Sequence, residues 1–167
     1  MDTNCKTTTS VIENKTYKNY FTNKFPIGTK PTHVLGFVID SKSQLLMVSR
    51  DRVEWEIPGG KLEENESARH ALTREIYEES AIQIKQDSIK PFFYTKVTKL
   101  TKNEEKVNYQ FRYICEVKSI DNFISDPDED IVAIKFVNIE NFIDEFKWRD
   151  SVYEIHEYFV NLLKNYN

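Results

Sequence analysis

Two short apolar runs, HVLGFVI (33–39) and QLLMVS (44–49), flank the polar Asp40-Ser41-Lys42-Ser43, a pattern that predicts two adjacent strands joined by a turn. Further along, FFYTKVTKL (92–100) and KVNYQFRYICEV (106–117) alternate β-branched and aromatic residues with polar ones. They bracket the charged TKNEEK and predict a long hairpin. DIVAIKFVNI (130–139) predicts another strand. A helical period appears twice. Ala68, Leu72 and Ile76 recur four apart and predict a helix over 66–80, with Asn65 as its N-cap and Glu66 in the first turn, at the positive end of the helix dipole. Phe142, Phe146, Val152, Ile155, Phe159, Leu162 and Leu163 carry helical spacing through 140–165 and predict one or two closing helices. Strands, a helix, more strands and terminal helices together indicate an α/β chain, a mixed β-sheet flanked by helices.

Residues 1–30 show no clear period. They are polar and rich in Thr, Asn and Lys, and read as an N-terminal arm, partly flexible. Its Tyr17, Tyr20, Phe21 and Phe25 are expected to pack on the domain formed by 31–167. Lys96, Lys99 and Lys102 read as a basic strand edge that guards against aggregation.

Size and charge narrow the picture. A chain of 167 residues, 40% hydrophobic and 13% aromatic, is long enough to bury one core without staples. The formal net charge of −4 argues against a broad basic face for nucleic acid, so an anionic ligand would need local help. Cys5 and Cys115 stand far apart without CxxC spacing, which fits a reducing compartment. With neither a signal-like apolar core near the start nor a membrane-length apolar run, the expectation is a cytoplasmic chain without a membrane partner.

PGGKLEENESARHALTREIYEES (58–80) changes the picture most. At about 100° per residue, Glu75, Glu78 and Glu79 fall within an arc of about 100° and project to one side of the helix. Like charges so placed repel, each pair by a few tenths of a kcal/mol. A solvated, Glu-rich helix is the plain alternative, since Glu is a good helix former. Hard carboxylate oxygens in a cluster suit Mg²⁺ or Mn²⁺, which are held by a few carboxylates with substrate phosphates. The wider spacing decides between these readings: Gly60, five residues, Glu66, seven residues, then Arg74-Glu75 and Glu78-Glu79. Six specified positions at roughly 6–7% background each give a chance match on the order of one in ten million per register.

This segment resembles the Nudix box, the loop-helix signature G-x5-E-x7-R-E-U-x-E-E-x-G-U of the Nudix hydrolases, in which U is a bulky aliphatic residue. Gly60, Glu66, Arg74, Glu75, Ile76, Glu78, Glu79 and Ile82 match it, while Ala81 replaces the final glycine. The resemblance implies an α/β/α sandwich and cleavage of a nucleoside diphosphate linked to a moiety X. It implies that Glu75, Glu78, Glu79 and the Gly59 carbonyl hold Mg²⁺ or Mn²⁺, with Asp130, or next to it Glu129, as an additional acid. Glu75 is the first candidate for the general base. Arg74 and Glu66 brace the loop held by Gly60, although an intrahelical ion pair between Arg74 and Glu78 is also available.

The choice of X is less marked. The proline of the ADP-ribose branch and the tyrosine of the dinucleoside-polyphosphate branch are replaced by Lys96 and Thr98. By elimination the expected substrate is a nucleoside triphosphate or related small nucleotide. ADP-ribose or another nucleotide sugar, and a non-catalytic nucleotide-binding module on the same fold, remain as alternatives, and a homodimer stays open. Arg50 and Arg52 are candidates to meet phosphates, and Trp55, Tyr94 or Tyr109 to stack on a base, with core packing the competing role for these aromatics. His33, His70 and His156 are scattered and take no role.

Overall fold

The computed structural model describes residues 5–102, 104–122, 130–146 and 151–164. Its elements run β1 (Lys6–Ile12), β2 (Lys15–Phe21), β3 (His33–Ile39), β4 (Gln44–Ser49), β5 (Gly59–Lys61), α1 (Ala68–Ser80), β6 (Ile82–Ile84), β7 (Lys90–Leu100), β8 (Glu105–Ile120), β9 (Ala133–Asn138) and α2 (Val152–Lys164). Short 3₁₀ turns at Gln86–Ser88 and Phe142–Glu145 punctuate the chain. The sheet is ordered β1-β2-β7-β8-β3-β4-β9, with β5 added to β3 and β6 to β8. The pair β3–β8 is parallel and its neighbours are antiparallel, so the sheet is mixed.

Alternation along β3 divides the core in two. Leu35, Phe37 and Ile39 join Phe92, Phe93 and Phe142 beneath Ile155 and Phe159 of α2. Val34 and Val38 face the other way, onto Leu72 and Ile76 of α1. One helix therefore covers each face, giving the α/β/α arrangement. Phe37, Phe159, Leu72 and Ile76 are all fully buried, and each such side chain contributes roughly 1.5–3 kcal/mol. Among the described residues no helix is long and apolar enough to cross a membrane.

Three expectations need correcting. The N-terminal segment is not irregular throughout: β1 and β2 form an antiparallel hairpin, and β2 continues the sheet against β7. Thr and Tyr favour strands, but polar residues on both faces leave no apolar alternation to read. Its aromatics do pack, Phe21 at 5% exposure and Phe25 stacked 4.0 Å from Phe111; residues 1–4 lie outside the described residues. Because β2 covers β7, Lys96 and Lys99 do not guard an edge. They sit opposite Lys18 and Lys15 inside the sheet, and β1 is the outer strand.

The third correction concerns the start of α1. Ser67, not Asn65, is the N-cap, its side chain accepting the His70 N–H at 3.2 Å. Asn65 and Ser67 are both cap-forming types. Asn tolerates the left-handed region better, and Asn65 occupies it at φ 62° in the preceding turn. Helix α1 ends on Ala81, at φ 54° and ψ 27°, whose N–H reaches the Tyr77 carbonyl at 2.7 Å. The residue that replaces the signature glycine thus stands in a left-handed conformation, at a cost of about 1 kcal/mol.

Candidate functional site

The start of β5 is built where only glycine fits. Gly59 has φ 148°, and a Cβ there would run into the Val34 carbonyl of β3; a Cβ on Gly60 would occupy the space of the Glu75 carboxylate. Backbone and helix meet at this point. The Gly59 N–H donates to Glu79 Oε2 at 2.7 Å, tying the loop to the last turn of α1.

Arg74 organises the outer carboxylates. Its Nε and Nη2 donate to the two oxygens of Glu66, each at 2.9 Å, and Nη2 also donates to the Lys61 carbonyl at 3.1 Å. Nη1 donates to Glu75 at 3.0 Å and to Glu78 at 2.9 Å. The loop brace and the intrahelical pair, weighed above as rivals, therefore coexist on one guanidinium. Hydrogen bonding to Arg74 is the main cause that lowers the Glu66 pKa to about 2, with the Glu63 N–H and His70 adding to it.

Inner carboxylates are less well served. Glu79 is 8% exposed, and burial pushes its pKa up to about 8 against the pull of the Gly59 N–H, with Glu75 and Glu56 raising it further. Glu75 is likewise raised, by burial first, even with Arg74 beside it. The cation nearest Glu79 is Arg50, 4.0 Å away and already engaged by Glu56 at 3.0 Å and Asp130 at 2.6 Å. Seven carboxylates, those of Glu56, Glu63, Glu66, Glu75, Glu78, Glu79 and Asp130, thus lie within 4.0 Å of just two guanidiniums. That excess of hard anionic oxygen fits a divalent cation. As the side chains stand, no three His, Cys, Asp or Glu groups among the described residues converge on one metal position, because Arg74 draws Glu75 and Glu78 to itself.

The remaining candidates divide. Arg50 and Asp130 reach the cluster, while Glu129 lies outside the described residues. Arg52 sits at φ 66° in a loop held by Ser49 and Asp51, its guanidinium 3.4 Å from the Val132 carbonyl. Trp55 packs at the border of the α2-side core with Lys135 Nζ 3.9 Å from its ring centroid. Tyr94 is not brought to the carboxylates. It lies on β7, separated from β3 by β8, against Tyr20, Phe25 and Tyr109.

Two features went unread in the sequence. Glu56 bridges to Val48 between Trp55 and Ile57, which both pack into the core; that alternation was the available signal that Glu56 points elsewhere. On the sheet face covered by α2, Arg112 is 5% exposed and donates to Thr95 at 2.6 Å and Gln110 at 3.0 Å, and Thr95 donates to Asn19 at 2.6 Å. Burial lowers the Arg112 pKa to about 9. No local spacing marks this chain of contacts, since its members come from three strands.

A family model described as the NUDIX domain matches residues 29–159. A MutT-like protein of Streptomyces ambofaciens is 37% identical over 57 residues, 34% of this chain and 37% of that protein. An 8-oxo-dGTP diphosphatase of Proteus vulgaris is 36% identical over 63 residues, 34% of this chain and 56% of that protein. The chain thus spans less than two thirds of either relative. Among solved structures, the Bacillus subtilis pyrophosphohydrolase BsRppH shares the fold with a TM-score of 0.66 at 22% identity, over 90% of this chain and 92% of that one. An Ap4A hydrolase of C. elegans does so with a TM-score of 0.56 at 15% identity, over 80% of this chain and 98% of that one. With the family model covering most of the chain, this protein belongs to the Nudix hydrolase family.

Proposed function

We propose that the chain is a divalent-metal-dependent pyrophosphohydrolase that cleaves a nucleoside diphosphate linked to X, with a nucleoside triphosphate or related small nucleotide as substrate. The observation that carries this reading is Glu79, a buried carboxylate fixed by the Gly59 N–H amid more anionic groups than the neighbouring arginines neutralise. Glu75, Glu78, Glu79 and the Gly59 carbonyl would hold Mg²⁺ or Mn²⁺, with Asp130 as an additional acid. When bound, such an ion supplies Lewis-acid stabilisation of the charge on the phosphoryl oxygens.

The chain's own residues do the rest. Glu66 and Arg74 hold the loop against α1, which keeps Glu75 beside Gly60. Desolvation makes Glu75 a stronger base than an exposed glutamate, so it is assigned the proton of the attacking water. Arg50, at the edge of the cluster, is assigned to a substrate phosphate. Trp55 is assigned a role beside the base, and Tyr94 is left out of the site. The small-nucleotide reading is supported by the named activity of the Proteus vulgaris relative.

The test is turnover of a panel of nucleoside triphosphates, ADP-ribose, nucleotide sugars and dinucleoside polyphosphates with Mg²⁺ or Mn²⁺. Release of product from a triphosphate, reduced by orders of magnitude in Glu78→Gln, is expected. A nucleotide that raises the melting temperature with no product from any compound would show a binding module instead.

A further inference from the structure

Helix α1 packs on β3, β5 and β6, and the sheet continues beyond β8 through β7, β2 and β1. On the α1 side of this extension the cross-strand register aligns two rows. One runs Thr9, Lys18, Lys96, Tyr109; the other runs Thr7, Tyr20, Tyr94, Phe111. Tyr20 and Tyr94 stack with centroids 4.7 Å apart and planes 6° from parallel. Lys18 Nζ stands 5.2 Å from the Tyr20 centroid, and the Tyr109 ring lies 6.2 Å from that of Tyr94. Lys18, Tyr20, Tyr94, Lys96 and Tyr109 all keep part of their surface in solvent.

Directly opposed lysines destabilise a sheet. Lys6, Lys85 and Lys135 each have a carboxylate partner, whereas among the described residues neither Lys18 nor Lys96 has one. The two rows contain ammonium groups, phenols and threonine hydroxyls, and no carboxylate. In a chain of net charge −4, such a local concentration attracts an anion that also offers flat apolar surface.

We propose that this face binds single-stranded nucleic acid, with Lys18 and Lys96 on phosphates and the Tyr20, Tyr94 and Tyr109 rings against bases. The rows are two residues apart along each strand, about 7 Å, a separation that one nucleotide's base and phosphate can span. Phe25 covers Phe111 and meets Tyr94 edge-on, and the part-exposed aromatic side chains beside it make the kind of sheet platform that unpaired bases use. An acidic peptide would use the lysines and leave the rings without a role. The surface is separate from the carboxylate cluster, and the proposal does not depend on the hydrolytic reading.

Fluorescence anisotropy of the full chain with a labelled ten-nucleotide oligothymidine bearing a 5′-hydroxyl tests it. Saturable binding at micromolar concentrations in low salt is expected, with log K falling against log salt at a slope of about −1.4 for two phosphates. Lys18→Gln with Lys96→Gln should bring that slope close to zero without lowering the melting temperature. Tyr94→Leu should weaken binding about tenfold. Three results would overturn the proposal: no binding by the wild type, binding unaffected by these variants, or equal affinity for a polyglutamate peptide of the same charge.

Discussion

Helices α1 and α2 are each 13 residues long and sit on opposite faces of one sheet, yet they were shaped by different demands. In α2 the buried residues are Val152, Ile155 and Phe159, and its charged Glu157 lies outside, paired with Lys6. Packing accounts for that helix. In α1, Ala71, Leu72 and Ile76 make an ordinary apolar stripe, but Glu79 and Ser80 are buried as well. Ser80 is satisfied by donating to the Ile76 carbonyl; Glu79 receives one backbone N–H and a distant arginine. The part of a helix that packing does not explain is where chemistry should be sought.

The contrast predicts opposite responses to substitution. Glu78→Gln should reduce kcat roughly a thousandfold, about 4 kcal/mol in barrier, with no loss of melting temperature, because the side chain is 36% exposed and Gln keeps a partner for Arg74. Phe159→Ala should do the reverse. Urea denaturation should register a loss of about 3–5 kcal/mol, while turnover per folded molecule stays near wild type. If Glu78→Gln unfolded the chain with Phe159→Ala harmless to stability, the division of labour between the helices would be wrong.

A pH series sharpens the same comparison within α1. The folded-state pKa of Glu79, about 8, lies above its ordinary value of 4.5. Between these values the folded chain keeps a proton that the unfolded chain has lost. In EDTA, stability should therefore fall as pH rises from about 4.5 to 8, by up to about 5 kcal/mol, and level off on either side. Added Mg²⁺ should flatten this decline, since a bound cation favours the ionised carboxylate. A melting temperature that rose over that window in EDTA would contradict the burial cost assigned to Glu79.

The smallest effect is at the end of α1. Ala81→Gly should stabilise the chain by up to about 1 kcal/mol in thermal denaturation, because relief of the left-handed strain outweighs the added freedom of the unfolded chain. No gain would mean that Ala81 packs well enough to offset its backbone.

How far the sequence led depended on whether a residue's role was written locally. Strands β3 and β4 were found at their observed limits because the apolar runs are buried and end at an Asp-led turn, where Asp40 accepts the N–H groups of Lys42 and Gln44. The loop and α1 were readable because glycine, arginine and glutamate recur at spacings that geometry fixes. Hairpin β1–β2 was not, since its threonines and lysines show no apolar face. The burial of β7 followed from that hairpin and was lost with it. Glu56 and Asp130 meet on Arg50 only through tertiary structure, and the Asn19–Thr95–Arg112 chain joins residues distant in sequence. The separation of Tyr94 from the carboxylates was not legible, because alternation assigns a residue to a face and says nothing about which strand lies between it and the site.

Isothermal titration calorimetry with Mg²⁺ or Mn²⁺, with and without a nucleotide, puts the central claim to the most direct test. Saturable uptake by the wild type, weakened at least tenfold by Glu79→Gln without loss of melting temperature, is the predicted result. Absence of any uptake, or uptake indifferent to Glu79, would contradict the assignment of these carboxylates to a cation.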